Sequence, residues 1–178
     1  MEFKDIVSNR RSIRKYKSDK VERALIDECI ACAIDAPTWK NSQTPRYYVI
    51  ESEEMLKAFK QEVLPEFNAN NVKDAPVLIV TTFVKNRAGF ERDGSQTNEV
   101  GQGWGYYDLG LHNSNFILKA TELGLGTLIM GIRDEAKIRE LLNVDESEII
   151  VAVIGLGYPD IEPSKPKRKA VEDITKYY

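Results

Sequence analysis

The chain of 178 residues has a formal net charge of −3, with 42% hydrophobic and 30% charged residues. This composition is typical of one soluble globular domain, residues 1–178, that folds without disulfides. The acidic balance disfavours a nucleic-acid-binding protein, and the longest apolar runs are far shorter than the ~20 residues that span a membrane. The N-terminus also lacks the apolar stretch of a signal peptide. We therefore expect a cytoplasmic protein that binds neither membrane nor nucleic acid.

The N-terminal half is predicted to contain three helices and two strands. Asp19 and Glu22 have the spacing of a capping box that opens the second helix, and Pro37 ends it. Ser52 is predicted to cap the third helix. The elements in chain order are a short N-terminal helix, a helix over 19–36, a strand over 46–51, a helix after Ser52 and a buried strand over 75–84.

The C-terminal half begins with a polar segment, residues 85–102, which we expect to be a mobile loop. A long helix follows, roughly Trp104 to Leu123, with Gly124 as its C-terminal cap. Then come a strand over 126–131, a helix over 134–143, a buried strand over 148–157 and an extended, proline-rich arm over about 160–178. Helices and strands do not alternate strictly, which favours an α+β fold with a mixed central sheet and helices on both faces.

Several short motifs that could indicate other chemistry are better explained by packing. Cys29 and Cys32 form C-x-x-C on the apolar face of a helix, whereas a redox pair needs an exposed helix start. His112 is the only histidine, so neither a hydrolytic triad nor a metal site is expected. The glycine-rich runs match neither the dinucleotide fingerprint nor a P-loop. A nucleotide-like cofactor would therefore need side-chain cations to hold its phosphate.

Two basic runs lie near opposite ends of the chain. The run "NRRSIRKYK" places Arg10, Ser12 and Arg14 where a helix passes into an extended segment, and "KPKRK" occupies residues 165–169. A solvated surface is one explanation for such runs. A shared phosphate site is the other, because guanidinium groups bind phosphate oxygens in bidentate fashion and a serine hydroxyl adds a hydrogen bond.

A polar loop, "PTWKNSQTP", separates the second helix from the strand that follows it. Thr38, Asn41, Ser42 and Gln43 supply amide and hydroxyl groups that suit the polar edge of a planar heterocycle. An ordinary turn between a helix and a strand would have a similar composition. The residues of the loop alone do not distinguish these two interpretations.

Four segments together resemble the signatures of the FMN-dependent nitroreductase family, in the same order and at the expected spacing. They are "RRSIRKY", "APTWKNSQTPRYYVI", "ELGLGTLIMGI" and "KPKRKAVEDI". The chain departs from the family where residues 44–46, Thr-Pro-Arg, replace the usual tryptophan after the N-x-Q motif, and where Met130 replaces a frequent glutamate. These differences bear on substrate preference more than on flavin binding.

The resemblance implies a nitroreductase-like fold and a homodimer, with FMN at each subunit interface and the C-terminal arm exchanged between subunits. It places Arg14 near the N1/C2 carbonyl edge of the flavin, and the backbone around Met130 and Gly131 near N5 and O4. The turn that contains Thr38 would contact the flavin of the other subunit. The full set of expected cofactor contacts is Arg10, Arg11, Ser12, Arg14, Thr38, Asn41, Gln43, Asn68, Met130, Gly131, Arg168 and Lys169.

The implied activity is hydride transfer from NADH or NADPH, through flavin N5, to a nitroaromatic, a quinone or a similar acceptor in ping-pong order. The cofactor supplies the reactive atom, so no catalytic side chain is expected. Two alternatives stay open: the same flavin fold acting on an enone, an azo compound, a halogenated phenol or free flavin, and a non-catalytic protein that binds flavin or anions. Trp104, Tyr106, Tyr107 and the Phe90 loop are candidate walls of the substrate site, or packing residues.

Overall fold

The sheet at the centre of the molecule has four strands in the order β1-β2-β4-β3. The structure is a computed structural model that describes residues 2–178. Every neighbouring pair of these strands is antiparallel, so the four strands do not form the mixed sheet that we expected. A parallel pairing occurs at the isolated bridge between Ser12 and Thr127, which places the segment after the first helix beside β3. The strands are β1 (Pro45–Ile50), β2 (Val77–Val84), β3 (Gly126–Met130) and β4 (Glu148–Gly157).

Six α-helices surround the sheet, which confirms the expected α+β class with helices on both faces. A π-helical turn, Phe59–Val63, continues the third helix, and short 3-10 turns occur at Trp39–Asn41 and Val171–Asp173. The α-helices are α1 (Phe3–Asn9), α2 (Arg23–Ile34), α3 (Glu53–Ala58), α4 (Glu66–Asn71), α5 (Gly103–Glu122) and α6 (Glu135–Leu142).

Strand β2 supplies both hydrophobic layers, because successive side chains of a strand point to opposite faces of the sheet. Leu78 and Val80 belong to the core cluster that is formed with α3, α4 and α6. Val77 and Ile79 belong to the cluster that is formed with α2 and α5. A strand buried on both faces needs apolar residues at consecutive positions, which explains the unbroken apolar run that predicted it.

The ends of the helices agree with some sequence predictions and contradict another. Ser52 caps α3, with its hydroxyl accepting a hydrogen bond from the Met55 N–H at 3.3 Å. Gly124 follows the end of α5 with φ of +77°, the left-handed conformation expected of a glycine that ends a helix. The prediction of a capping box at Asp19 and Glu22 is wrong, because α2 begins at Arg23 and no side-chain hydrogen bond caps it.

The polar segment 85–102 is organised by short-range contacts rather than by a helix or a strand. A bridge pairs Phe90 with Gln96, and the indole N–H of Trp104 donates to Asn98 Oδ1 at 3.0 Å. The C-terminal arm is extended except for its 3-10 turn, and its apolar side chains are open to solvent: Tyr177 is 87% exposed. None of the described helices combines the length and the apolar character needed to cross a membrane.

Candidate functional site

The segment after α1 runs along the outer strand β3. The Ile13 N–H donates to the Thr127 carbonyl at 2.9 Å, beside the bridge between Ser12 and Thr127. Gly126 makes this close approach possible, because a Cβ atom there would lie 2.5 Å from Cγ1 of Ile13. The local sequence therefore fixes Ser12 on the backbone of β3, with an arginine two residues to either side of it.

Positive charge collects beside this segment in a groove of about 490 Å³, which we call the basic cleft. Partial burial lowers the pKa of Arg10, and the nearby charges of Arg168 and Arg11 lower it further. Among residues 2–178, neither Arg10 nor Arg168 forms an ion pair with a carboxylate. The two basic runs of the sequence thus meet here. The cations of the cleft are Lys4, Arg10, Arg11, Lys165 and Arg168.

The arginines of the N-terminal basic run differ in how far the protein itself engages them. The Arg11 guanidinium donates to the carbonyls of Ser8 at 2.8 Å, Arg10 at 2.9 Å and Pro163 at 3.2 Å, which ties the start of the arm to α1. Arg14 is exposed and makes one long contact of 3.4 Å to the Ser12 carbonyl. Arg10 and Arg14 are therefore more available to a ligand than Arg11.

The opposite end of β3 brings together three further residues of the expected set. Met130 is the last residue of the strand and is buried, whereas Gly131 is exposed. Asn68 is 6% exposed, and its side-chain amide donates to the carbonyl of Ile132 at 3.0 Å. The segments around Ser12, Asn68 and Gly131 thus share one edge of the sheet.

The turn of residues 38–43, which we call the strained turn, lies at the other edge of the sheet, before β1. Lys40, Asn41 and Gln43 have φ angles of +46°, +54° and +48°. The side chains of Asn41 and Gln43 are exposed, and the Gln43 N–H donates to the Thr38 hydroxyl at 3.1 Å. Strands β2 and β4 separate β1 from β3, a distance of about 14 Å across the sheet. One chain therefore does not bring the strained turn to the basic cleft.

Sequence reasoning missed Asp108, a buried acid of α5 beneath the strained turn. Its Oδ2 atom accepts a hydrogen bond from the Trp39 N–H at 2.9 Å, and the residue is 2% exposed. Burial raises the pKa of Asp108, and the Trp39 amide opposes this shift. The available signal was an acidic residue between Tyr107 and Leu109 in the second turn of the helix.

Of the residues that we assigned to packing, Cys29 and His112 are buried, whereas Cys32 is only half-buried. Cys29 has no exposed surface, and burial raises its thiol pKa to about 12, which makes it a poor nucleophile. His112 is 4% exposed. Trp104 packs on Trp39 with ring centroids 4.5 Å apart, whereas Tyr107 is 61% exposed. Of the candidate substrate walls, the tyrosines of α5 are thus the more accessible.

Comparison with known proteins gives a consistent result. The sequence profile of the Nitroreductase family matches residues 7–158. A Methanothermobacter thermautotrophicus protein provisionally named NADH dehydrogenase/NAD(P)H nitroreductase is 31% identical over 92% of this chain and 80% of its own.

Solved structures with the same fold include members of this family. A nitroreductase family protein from Clostridium difficile is 25% identical, with 99% of this chain and 98% of that one covered and a TM-score of 0.80. An iodotyrosine deiodinase bound to FMN and 3-iodo-L-tyrosine shares the fold at 20% identity, with 99% of each chain covered and a TM-score of 0.77. The profile, the relatives and the fold agree with the four motifs of the sequence, and the chain belongs to the nitroreductase family.

Proposed function

We propose that the chain acts as a homodimer that binds FMN at each subunit interface and passes electrons from NAD(P)H to a small organic acceptor. The family makes it an NAD(P)H-dependent oxidoreductase with FMN as its cofactor, as the motifs led us to expect. The proposal adds the location of the cofactor, the order of the steps and the acceptor. We also propose that residues 1–178 form one domain and that its C-terminal arm, about 160–178, packs on the partner subunit.

The observation that carries the proposal is the division of the expected cofactor contacts between two edges of the sheet. Arg10, Ser12 and Arg168 lie at one edge, and the strained turn lies about 14 Å away at the other. A second copy that presents its own strained turn to the basic cleft would complete the site. Exposed apolar side chains on α1, such as Phe3 and Val7 with 70% and 49% exposure, are available for such an interface.

The basic cleft fits the phosphate of FMN. Arg10 and Arg168 repel each other without a carboxylate to compensate them within residues 2–178, so a dianion would stabilise both. Lys165 and Lys169 lie on the exposed arm and can add to this positive potential. Arg11 is largely engaged by backbone carbonyls, and we assign it the role of holding the arm against α1 rather than the phosphate.

When bound, FMN supplies the redox chemistry by accepting a hydride and transferring electrons to an acceptor. The chain contributes binding, orientation and electrostatics. The permanent charge of Arg14 favours the electron-rich state of a bound flavin, because a guanidinium stabilises negative charge nearby. The backbone at Gly131 is exposed at the end of β3 and can orient the ring without giving up a proton. Asn68 supports that segment through the Ile132 carbonyl.

A ping-pong order follows if one open face of the flavin serves both the donor and the acceptor in turn. The exposed rings of Tyr106 and Tyr107 on α5 favour planar aromatic acceptors, and nitroaromatics and quinones are therefore the first candidates. A halogenated phenol is the second candidate, because the deiodinase described above shares the fold and binds an iodinated phenol.

The experiment is a spectrum of the purified protein, followed by anaerobic addition of NADH or NADPH and then of a panel of acceptors. We expect a bound flavin that NAD(P)H bleaches and that a nitroaromatic or a quinone reoxidises. A colourless protein that takes up no FMN on titration would contradict the proposal. A flavin that no nicotinamide reduces would favour the non-catalytic binding protein instead.

A further inference from the structure

The strained turn holds a backbone conformation that its residues do not favour. Lys40, Asn41 and Gln43 all have positive φ angles, between +46° and +54°. This left-handed region is unfavourable for residues with a side chain, although asparagine tolerates it better than lysine or glutamine. Such conformations persist only where the surrounding structure fixes them. The turn therefore depends on contacts that keep it in place.

Most hydrogen bonds of the strained turn are local and do not attach it to the rest of the protein. The Asn41 N–H donates to the Thr38 carbonyl at 3.0 Å, and the Ser42 N–H donates to the Trp39 carbonyl at 2.8 Å. The Gln43 N–H donates to the Thr38 hydroxyl at 3.1 Å. These bonds shape the turn, but each of them joins two of its own residues.

Two polar contacts connect the strained turn to distant parts of the sequence. One is the ion pair between Lys40 and Glu91, at 3.2 Å between exposed side chains, which solvent screens. The other is the hydrogen bond from the Trp39 N–H to Asp108, at 2.9 Å, and Asp108 is 2% exposed. A charge-assisted hydrogen bond that is shielded from water is the stronger restraint.

Asp108 occupies a position where an apolar residue would be less costly. Burying a carboxylate away from water is unfavourable unless hydrogen bonds compensate it. The Trp39 N–H provides one such bond, and the Ser42 hydroxyl lies near enough to lower the carboxyl pKa. That hydroxyl is buried without a hydrogen bond of regular geometry, so the Trp39 amide is the main compensation. Asp108 therefore stabilises the strained turn rather than the hydrophobic core.

We propose that Asp108 is a positioning residue for the cofactor site: its carboxylate holds the Trp39 N–H and so fixes the turn that presents Asn41 and Gln43. This inference rests on the proposed function, in which that turn contacts the FMN of the second subunit. Asp108 acts on the flavin through the turn, since the group it contacts is the Trp39 amide.

The test compares three variants of the full chain. Asp108→Leu removes the acceptor and Asp108→Asn keeps one, while Asn113→Leu is the matched control. Asn113 is also buried on α5, but its amide donates at 3.4 Å to Thr81 of β2 rather than to the turn. Two measurements are made on each variant: hydrogen exchange of the amides of residues 38–43 without flavin, and FMN affinity by titration.

We expect Asp108→Leu to raise exchange in the turn and to weaken FMN binding by about 10- to 100-fold, with Asp108→Asn within about 3-fold of the wild type. Asn113→Leu should lower the melting temperature and change neither measurement. Unchanged exchange in Asp108→Leu would overturn the inference. If that variant does not fold, Asp108→Ala removes the acceptor without added bulk and is judged by the same criteria.

A double-mutant cycle separates positioning from general destabilisation. If Asp108 acts through the turn, Asp108→Leu should cost less FMN affinity in an Asn41→Ala background than in the wild type. Full additivity would contradict the inference. If the wild type binds no FMN, the proposed function fails, whereas the exchange experiment still decides whether Asp108 holds the turn.

Discussion

The basic cleft and the strained turn are two halves of one proposed site, and they are built in opposite ways. The cleft gathers cations from α1, from the segment after it and from the C-terminal arm around the half-buried Arg10 and the exposed Arg168. The turn presents short polar side chains on a backbone whose φ angles are positive at three residues. The cleft is suited to binding through charge, which tolerates imprecise geometry. The turn is suited to binding through directed hydrogen bonds, which require a fixed backbone.

The largest effect is expected from the charge of the cleft. Arg10→Ala should weaken FMN binding by about 1.5–3 kcal/mol, because it removes a charge-assisted contact to the phosphate. Arg11→Ala is the comparison: it should expose the arm to proteolysis and change FMN affinity less, because its guanidinium is bound to backbone carbonyls. Titration of both variants with FMN checks this, and equal losses would refute the distinction between the two arginines.

The packing of the segment at Ser12 against β3 should be the next most sensitive to substitution. Gly126→Ala places a Cβ atom 2.5 Å from Ile13, and overpacking of this kind costs about 1–3 kcal/mol of stability. Gly110→Ala in α5 is the control, since nothing lies within 4 Å of its added Cβ and alanine favours a helix. Urea unfolding of the two variants should therefore give shifts of opposite sign. If Gly126→Ala left the free energy of unfolding unchanged, the segment at Ser12 would not depend on this close contact.

Substitutions in the strained turn should weaken FMN binding less, and the stability of the variant should depend on which residue replaces Asn41. Asn41→Ala and Asn41→Gly both remove a neutral hydrogen-bonding group, which is worth about 0.5–1.5 kcal/mol of FMN binding. Glycine accepts a positive φ freely and alanine does not, so the glycine variant should be the more stable of the two in thermal unfolding. Equal stabilities would indicate that the backbone of the turn is not under strain.

The smallest effect concerns His112, one turn beyond Asp108 on α5. Burial lowers the pKa of His112 below its ordinary value of 6.5, so the unfolded chain takes up this proton first on acidification. The contribution of the neutral His112 to the free energy of unfolding is therefore fully present above pH 6.5 and is lost as the pH falls through the folded-state pKa. The difference in unfolding free energy between the wild type and His112→Asn should therefore shrink from pH 8 to pH 5. A constant difference would mean that the interior beneath the turn accepts the charge.

Much of the fold was predictable because it depends on residues that are close together in the sequence. The apolar run at residues 77–84, the cap at Ser52 and the glycine after α5 each act through their immediate neighbours. The start of α2 was not predictable in this way, because the Asp19 and Glu22 spacing suggested a capping box whose side-chain bonds do not form. Polar side chains at the start of a helix can hydrogen-bond to water instead of to the backbone, and tertiary contacts decide which of the two occurs.

The sequence by itself determined the family and the residue types of the site, because four motifs carry their chemistry in consecutive side chains. Only the tertiary structure decided which of those residues are free to bind. It brought Arg168 next to Arg10 across more than 150 positions, committed Arg11 to backbone carbonyls and set Asp108 under the strained turn. The physical reason is that availability depends on burial and on competing partners, which residues distant in sequence supply.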